Sequence, residues 1–442
     1  MPASAEPVAV SRPAATPAET EPVSNRAASP ADDWRADVGR ILGLMGGAFL
    51  MAVAFGVVRV GQPESLKSMG GDDSASGVFG GAVQAGYLAG LFLLWPAASP
   101  LGVRTTATGA AAVLAIFFLS EAAVAERWAF LAIGAVQGAV TSLLWPSIMG
   151  WVASGVEGDA LGRRLGRYNL SWSTGLVVGP VIGGALCGWV GVSSAMYAAA
   201  ACSVAAVVAL SAMRPPESAP ATAPGPDAKE PPAPAAPPPD AAAHFHAWSA
   251  RLANLSIYVA SGVTAWQFPA LGRLLNVDPF VYGLIQTCST AATAAGFAAL
   301  GRSDFWRGNF GWLAGVQAVG IATLLSLWFA ESAAHMAVAA AVVGLCQAAT
   351  YSSAVFHGAA VAKRRGDAMA VHEIVLSVGY IIGSVGGGRL SEAAPRLWPG
   401  ADLRMTYPAG AALMAVLLAA FLALQLVRPR TAAATATDGV RP

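Results

Sequence analysis

Residues Gly166 to Gly184 read GRYNLSWSTGLVVGPVIGG. From Leu170 onward this stretch carries no charge, and its glycines at 175, 179 and 183 fall four residues apart. Residues four apart share one face of a helix, and small residues on such a face let a second helix approach closely in lipid. Pro180 removes a backbone donor, which a helix accommodates by bending. The apolar run extends to roughly 167–190, long enough for the ~20 residues that cross a bilayer. The stretch therefore predicts a membrane-spanning helix with a tight helix–helix seam.

Eleven further runs of this kind flank it. In the first half they lie at roughly 39–61, 77–97, 103–121, 128–153 and 193–213. In the second they lie at 251–271, 280–300, 308–330, 333–361, 367–390 and 406–427. The composition agrees: of 442 residues 55% are hydrophobic and 12% charged, against ~25% charged in soluble domains. The runs are too long and too uniformly apolar for the ~10-residue alternating strands of a membrane barrel. The expected fold is all-α and integral to the membrane, with twelve transmembrane helices in two pseudo-symmetric six-helix bundles. A repeat in the sequence supports the two halves. At an offset of 204, Gly175, Gly179, Gly183 and Gly184 fall on Gly379, Gly383, Gly387 and Gly388; at 210, Gly134 and Gln137 fall on Gly344 and Gln347.

Residues 1–37 read as a disordered, uncleaved cytoplasmic tail, being rich in Ala, Pro, Ser and Glu without the basic and apolar regions of a secretory signal. The two bundles are expected at 38–213 and 249–428. Between them, 214–248 is rich in Pro and Ala and reads as a solvated linker, and 429–442 is a second tail. Fifteen Lys and Arg flank the spans on the side that would hold both termini and the linker, and seven flank them on the other. The positive-inside rule then gives a multi-pass protein of the inner (plasma) membrane, with both termini cytoplasmic. A net charge of +1 provides no field for nucleic acid. Cys187, Cys202, Cys288 and Cys346 lie in apolar runs without metal-ligand spacing; neither a disulfide, a metal site nor a cofactor is expected.

Gly166, Gly175, Gly179, Pro180, Gly183 and Gly184 match the pattern G-x8-G-x3-G-P-x2-G-G, and on them the chain resembles the major facilitator superfamily (MFS) of secondary transporters, whose antiporter motif this is. The resemblance implies alternating access with no enzymatic activity. It also implies that span 5 lies at the domain interface and helps control leakage; a tight seam with no part in coupling is the other reading. In the connection between spans 2 and 3, Gly102 and Arg104 fit the family pattern, with Ser99 at its acidic position. Gln137-Gly138 stands as in the family's proton-linked exporters, with Gly134 where their Arg would be.

Gln137 and Gln347, ten to fifteen residues into their spans, sit near the midplane where the family binds substrate. A glutamine offers two donors and an acceptor to a neutral polar ligand. Trp266, Gln267 and Tyr351 would add a wall to the site. Each of these also reads as an interhelical hydrogen-bond or packing partner. Ionisable groups inside spans are functional candidates: His357, His372 and Glu373 are expected to share one layer, as a proton relay or as a structural pair or gate. Arg59, near the end of span 1, reads as snorkelling to the headgroups, and no intramembrane carboxylate is evident in the first half. The expected function is proton-linked efflux of small organic compounds by a monomer, with the small-molecule substrate, the bilayer and protons as partners. Uptake of a neutral polar solute, sugar- or nucleoside-like, is the alternative. A transport-inactive sensor or scaffold on the same fold is the alternative of another class.

Overall fold

The computed structural model describes residues 30–153, 158–213, 241–361, 365–399 and 401–426. Among them are twelve long helices and no strand. The first half comprises α1 (Pro30–Ser68), α2 (Asp73–Leu93), α3 (Val103–Ala123), α4 (Arg127–Ala153), α5 (Gly158–Trp189) and α6 (Val192–Ser211). The second comprises α7 (Ala241–Leu274), α8 (Pro279–Leu300), α9 (Phe310–Leu327), α10 (Ala333–Val361), α11 (Arg365–Leu397) and α12 (Thr406–Leu426). The chain divides into a segment up to Gly39 and a body from Arg40 onward; the packing below concerns the body.

Two boundaries differ from the sequence expectation. The tail expected to reach residue 37 gives way to helix at Pro30, and the linker expected to reach 248 gives way to helix at Ala241. Polar residues in both stretches obscure the helix, because helix formation does not require apolarity. The rest of the expected tail and linker, and the second tail at 429–442, lie outside the described residues.

Ten of the twelve helices are long and apolar enough to cross a membrane by length and composition. The other two, α7 and α8, are lowered by Ser, Thr, Asn and Gln. In α7 those groups do not meet lipid: every residue from Ser256 to Gly272 is buried. A polar helix is stable in a bilayer when protein surrounds it. α12 is the opposite case, with only 22% of its apolar window buried against 61% for α1, as suits a helix supporting the bundle from the lipid side.

The expected repeat governs the packing. A methyl group placed on Gly175, Gly179 or Gly183 of α5 would lie 2.5–2.6 Å from the carbonyls of Phe49, Val53 and Val57 of α1. Gly379 and Gly383 of α11 press in the same way on Leu255 and Val259 of α7, and Gly387 lies against Val263 and Gln267. The next residue of each motif crosses to the other half. Gly184 meets Pro279, Phe280 and Gly283 of α8, and Gly388 meets Asp73, Ser74 and Gly77 of α2. The capping residues of those partners correspond too: Asp72 caps α2 by accepting from Ala75 N (2.7 Å), and Asp278 caps α8 by accepting from Phe280 N (2.9 Å).

Between α2 and α3, Gly102 adopts φ +82°, a conformation that side-chain-bearing residues rarely take. This accounts for the glycine at that point of the connection. Thr106 Oγ1 donates to Ala98 O at 3.0 Å and ties the turn to the start of α3.

The halves meet along α2–α11 and α5–α8. At the ends where α1 turns into α2 and α7 into α8 (the turn face), Arg273 bonds Asp73 at 2.8 Å and Trp189 stacks on Phe280 at 5.2 Å. Deeper in, Thr287 Oγ1 donates to Val177 O (3.0 Å) and Gln84 Nε2 to Ser377 Oγ (2.6 Å). The Tyr87 hydroxyl of α2 lies beside the Glu373 carboxylate of α11.

Candidate functional site

A small polar cavity lies between the halves. Arg59 enters it from α1, and Ser261, Thr264, Gln286, Ser289 and Gln347 from the second half. Its volume is about 10 Å³, room for about one water. The expectation that Arg59 snorkels does not hold. α1 continues nine residues past it to Ser68, placing Arg59 about 13 Å from the helix end at 1.5 Å per residue. Its guanidinium lies beside the Tyr380 hydroxyl of α11, which accepts from Trp266 Nε1 at 3.0 Å. Gln347 Nε2 donates to Tyr258 (3.0 Å) and Gln286 Nε2 to Tyr282 (2.6 Å). One fixed cation among amides and hydroxyls, with no carboxylate in the lining, can hold an acceptor-rich or anionic group of a solute.

A second polar centre is internal to the first half. Gln62 Nε2 of α1 stands 3.0 and 3.1 Å from the two carboxylate oxygens of Glu121 and 3.0 Å from Gln137 Oε1. Gln62 is 5% exposed and the other two 2%. This corrects the expectation that the first half holds no intramembrane carboxylate. Glu121 lies in the last turn of α3, where a charge in sequence reads as the end of a span; the fold turns it inward onto α1.

The two glutamines expected to bind substrate are therefore not equivalent. Gln347 lines the cavity; Gln137 bonds Gln62 inside its own bundle. Of the expected wall, Trp266 lies at the α2–α7 seam, its ring 5.4 Å from Phe79. Gln267 is fully buried against Gly387, and its amide has no hydrogen-bond partner among the described residues. The cavity-lining residues of that helix are Ser261, Thr264, Ala265 and Phe268. Tyr351 packs between Phe297 (5.5 Å) and the edge of His372 (4.5 Å).

The expected layer of His357, His372 and Glu373 separates into three settings. His357 stacks on His246 at 5.3 Å and accepts from Gly308 N at 3.3 Å. His372 is 2% exposed inside the second half, and neither ring nitrogen has a hydrogen-bond partner among the described residues. Glu373 faces the other half through Tyr87. Successive residues on a helix point about 100° apart, which is why adjacent positions 372 and 373 face different bundles. Of the antiporter-motif residues, Gly175, Gly179 and Gly183 seal α5 to α1 and only Gly184 and Pro180 touch the second half; Gly166 has open space around it. Among the described residues no three His, Cys, Asp or Glu are placed to hold a metal.

Tyr87, Tyr258, Tyr282 and Tyr380 escape a reading that weighs only charged and amide groups. Their signal is the hydroxyl: a tyrosine deep in a span needs a hydrogen-bond partner; Tyr258, Tyr282 and Tyr380 accept from Gln347, Gln286 and Trp266, and Tyr87 lies beside Glu373.

The sequence model of the Major Facilitator Superfamily matches residues 44–268, and the chain belongs to that family as a multi-pass membrane transporter. Among curated proteins no sequence matches. Among solved structures, a bacterial homolog of the human lysosomal transporter Spinster, in an inward-facing and occupied conformation, is similar at 14% identity. Its TM-score is 0.66, covering 89% of this chain and 97% of that one. The nucleoside transporter NupG is similar at 14% identity and TM-score 0.61, covering 88% of this chain and 99% of that one.

Proposed function

We propose that the chain, as a member of the Major Facilitator Superfamily, moves a small organic compound across the inner membrane by alternating access, as proton-linked efflux. The observation that carries this reading is the cavity between the halves, to which Arg59 comes from one bundle and Gln286 and Gln347 from the other. A solute held there would touch both bundles, so rocking one against the other would change the side to which it is exposed. The antiporter motif in α5 supports export. Glu373, at the seam with Tyr87, is the residue proposed for proton coupling. The fifteen-to-seven bias of Lys and Arg supports cytoplasmic termini, and the chain is proposed to act as a monomer.

Uptake of a neutral polar solute is the second reading, favoured by the amides and hydroxyls that dominate the cavity wall. NupG, with the same fold, is named a nucleoside transporter.

The test is proton movement in vesicles carrying the protein, over a panel of nucleosides, sugars, organic acids and amphipathic compounds. Solute-dependent proton flux that is lost in Glu373→Gln supports proton-linked transport. Solute movement without protons replaces it with facilitated or sodium-linked transport. No movement of any solute would leave the sensor or scaffold as the better account.

A further inference from the structure

We propose that Glu121 is a proton-binding site in the first bundle, and that Gln62 is the element that senses its protonation. The geometry is the argument. The Glu121 side chain is almost completely enclosed, and the donor it meets is a neutral amide nitrogen. An ionised carboxylate in such a place is costly without a cation, whereas a carboxylic acid is not.

Among the described residues no cation bonds it: Arg59, three residues before Gln62 on α1, lines the cavity with Gln286 and Gln347 of the other half. From α1, Glu64 lies 3.9 Å from Arg273 on the seam and Lys67 is exposed. From α4, Arg127 rests on its own neighbour Trp128 at 5.3 Å, and Glu126, just before that helix, is exposed. α6, packed along α3, has no Asp, Glu, Lys, Arg or His between Val192 and Ser211, and its Tyr197 is exposed.

Gln62 Nε2 carries two hydrogens and stands within bonding distance of three oxygens, two on Glu121 and one on Gln137. With Glu121 ionised, both hydrogens are drawn to the carboxylate. With Glu121 protonated, the amide is released to Gln137 and the new hydroxyl becomes a donor itself. The residue after Gln137 is Gly138, whose Cα backs on Val83 and Tyr87 of α2, and Tyr87 lies beside Glu373 across the seam. The site is therefore joined by packed groups to the contact between the halves. Proton binding itself does not depend on which solute is carried.

The experiment is infrared difference spectroscopy of the full chain in lipid as pH is raised, following the carbonyl stretch of protonated carboxyl groups. The wild type is expected to show a band that titrates away and is missing in Glu121→Gln. Gln62→Leu, which keeps Glu121 and removes its donor, is expected to move that titration to higher pH, because the charged form loses its hydrogen bond. If Glu121→Gln does not fold, the Gln62→Leu shift carries the test. A wild-type spectrum matching Glu121→Gln, or a titration unmoved by Gln62→Leu, overturns the proposal. Because no solute is added, a failed transport assay leaves this result standing, and the converse is equally true.

Discussion

The Arg273 guanidinium stands 2.8 Å from the Asp73 carboxylate and 3.9 Å from that of Glu64, so one side chain of α7 ties the second bundle to both α1 and α2 of the first. Ser391 Oγ of α11 donates to the same Asp73 at 3.4 Å. The pair is roughly three-quarters buried, at the face where the motif glycines also cross between halves.

Arg273→Gln is expected to loosen this face by about 1 kcal/mol, roughly a fivefold shift towards separation of the halves. The check uses Ser391→Cys as a reporter, labelled with a membrane-impermeant maleimide. Labelling should rise several-fold when Arg273→Gln is added. Equal labelling with and without it would mean that the ion pair does not hold the face closed.

Among the described residues Arg59 supplies the one cation of the cavity wall. For any solute that the wild type moves, Arg59→Gln is expected to cut transport at least tenfold, the loss of a charge-assisted hydrogen bond worth about 1.5–3 kcal/mol. Arg59→Lys should retain part of it, keeping the charge without the planar fork. Transport rates in vesicles at matched protein content decide this; an unimpaired Arg59→Gln would remove the cavity from the transport path.

Glu373 and His357 make a contrasting pair. Glu373→Gln is expected to flatten the pH dependence of transport, and Tyr87→Phe to displace it, since that hydroxyl lies beside the carboxylate. His357→Ala should leave the pH profile intact, because its ring is engaged with His246 and the Gly308 amide inside one bundle. A pH profile that responds to His357→Ala and ignores Glu373→Gln would reverse the assignment.

The two adjacent glycines of α5 are expected to fail differently. Gly183→Val drives a side chain into Val57 of α1 within one bundle, an overpacking that costs about 1–3 kcal/mol and should lower the melting temperature of the purified protein. Gly184→Val meets α8 of the other bundle, and should leave melting nearly unchanged while raising maleimide labelling at Ser391→Cys. Equal loss of stability in both variants would show that the motif is a structural seam throughout.

Much of the architecture was legible in residue order. Long apolar runs have one stable form in lipid, and glycines every four residues mark a close helix contact whatever the partner. So the two-bundle fold and the repeat centred on Gly175 and Gly379 could be read directly. The ends of α1 and α7 could not, because helix continues through polar residues that interrupt an apolar run. That misjudged end is what put Arg59 at a headgroup instead of at the cavity between the halves.

The candidate site was legible only in part. Gln347 and Glu373 could be picked out as polar groups inside spans, but depth along a helix says nothing of the direction a side chain faces. Gln137 and Gln347 occupy matching places in the repeat, yet one is turned to Gln62 inside its bundle and the other to the cavity. The sequence by itself determined that twelve helices form two related bundles, because hydrophobic length and small-residue spacing are local properties of the chain. Which polar groups meet was decided by the tertiary structure alone. The contacts Gln62–Glu121, Arg59–Tyr380, Tyr87–Glu373 and Arg273–Asp73 join helices far apart in the chain, and only the rotation of each packed helix sets them facing.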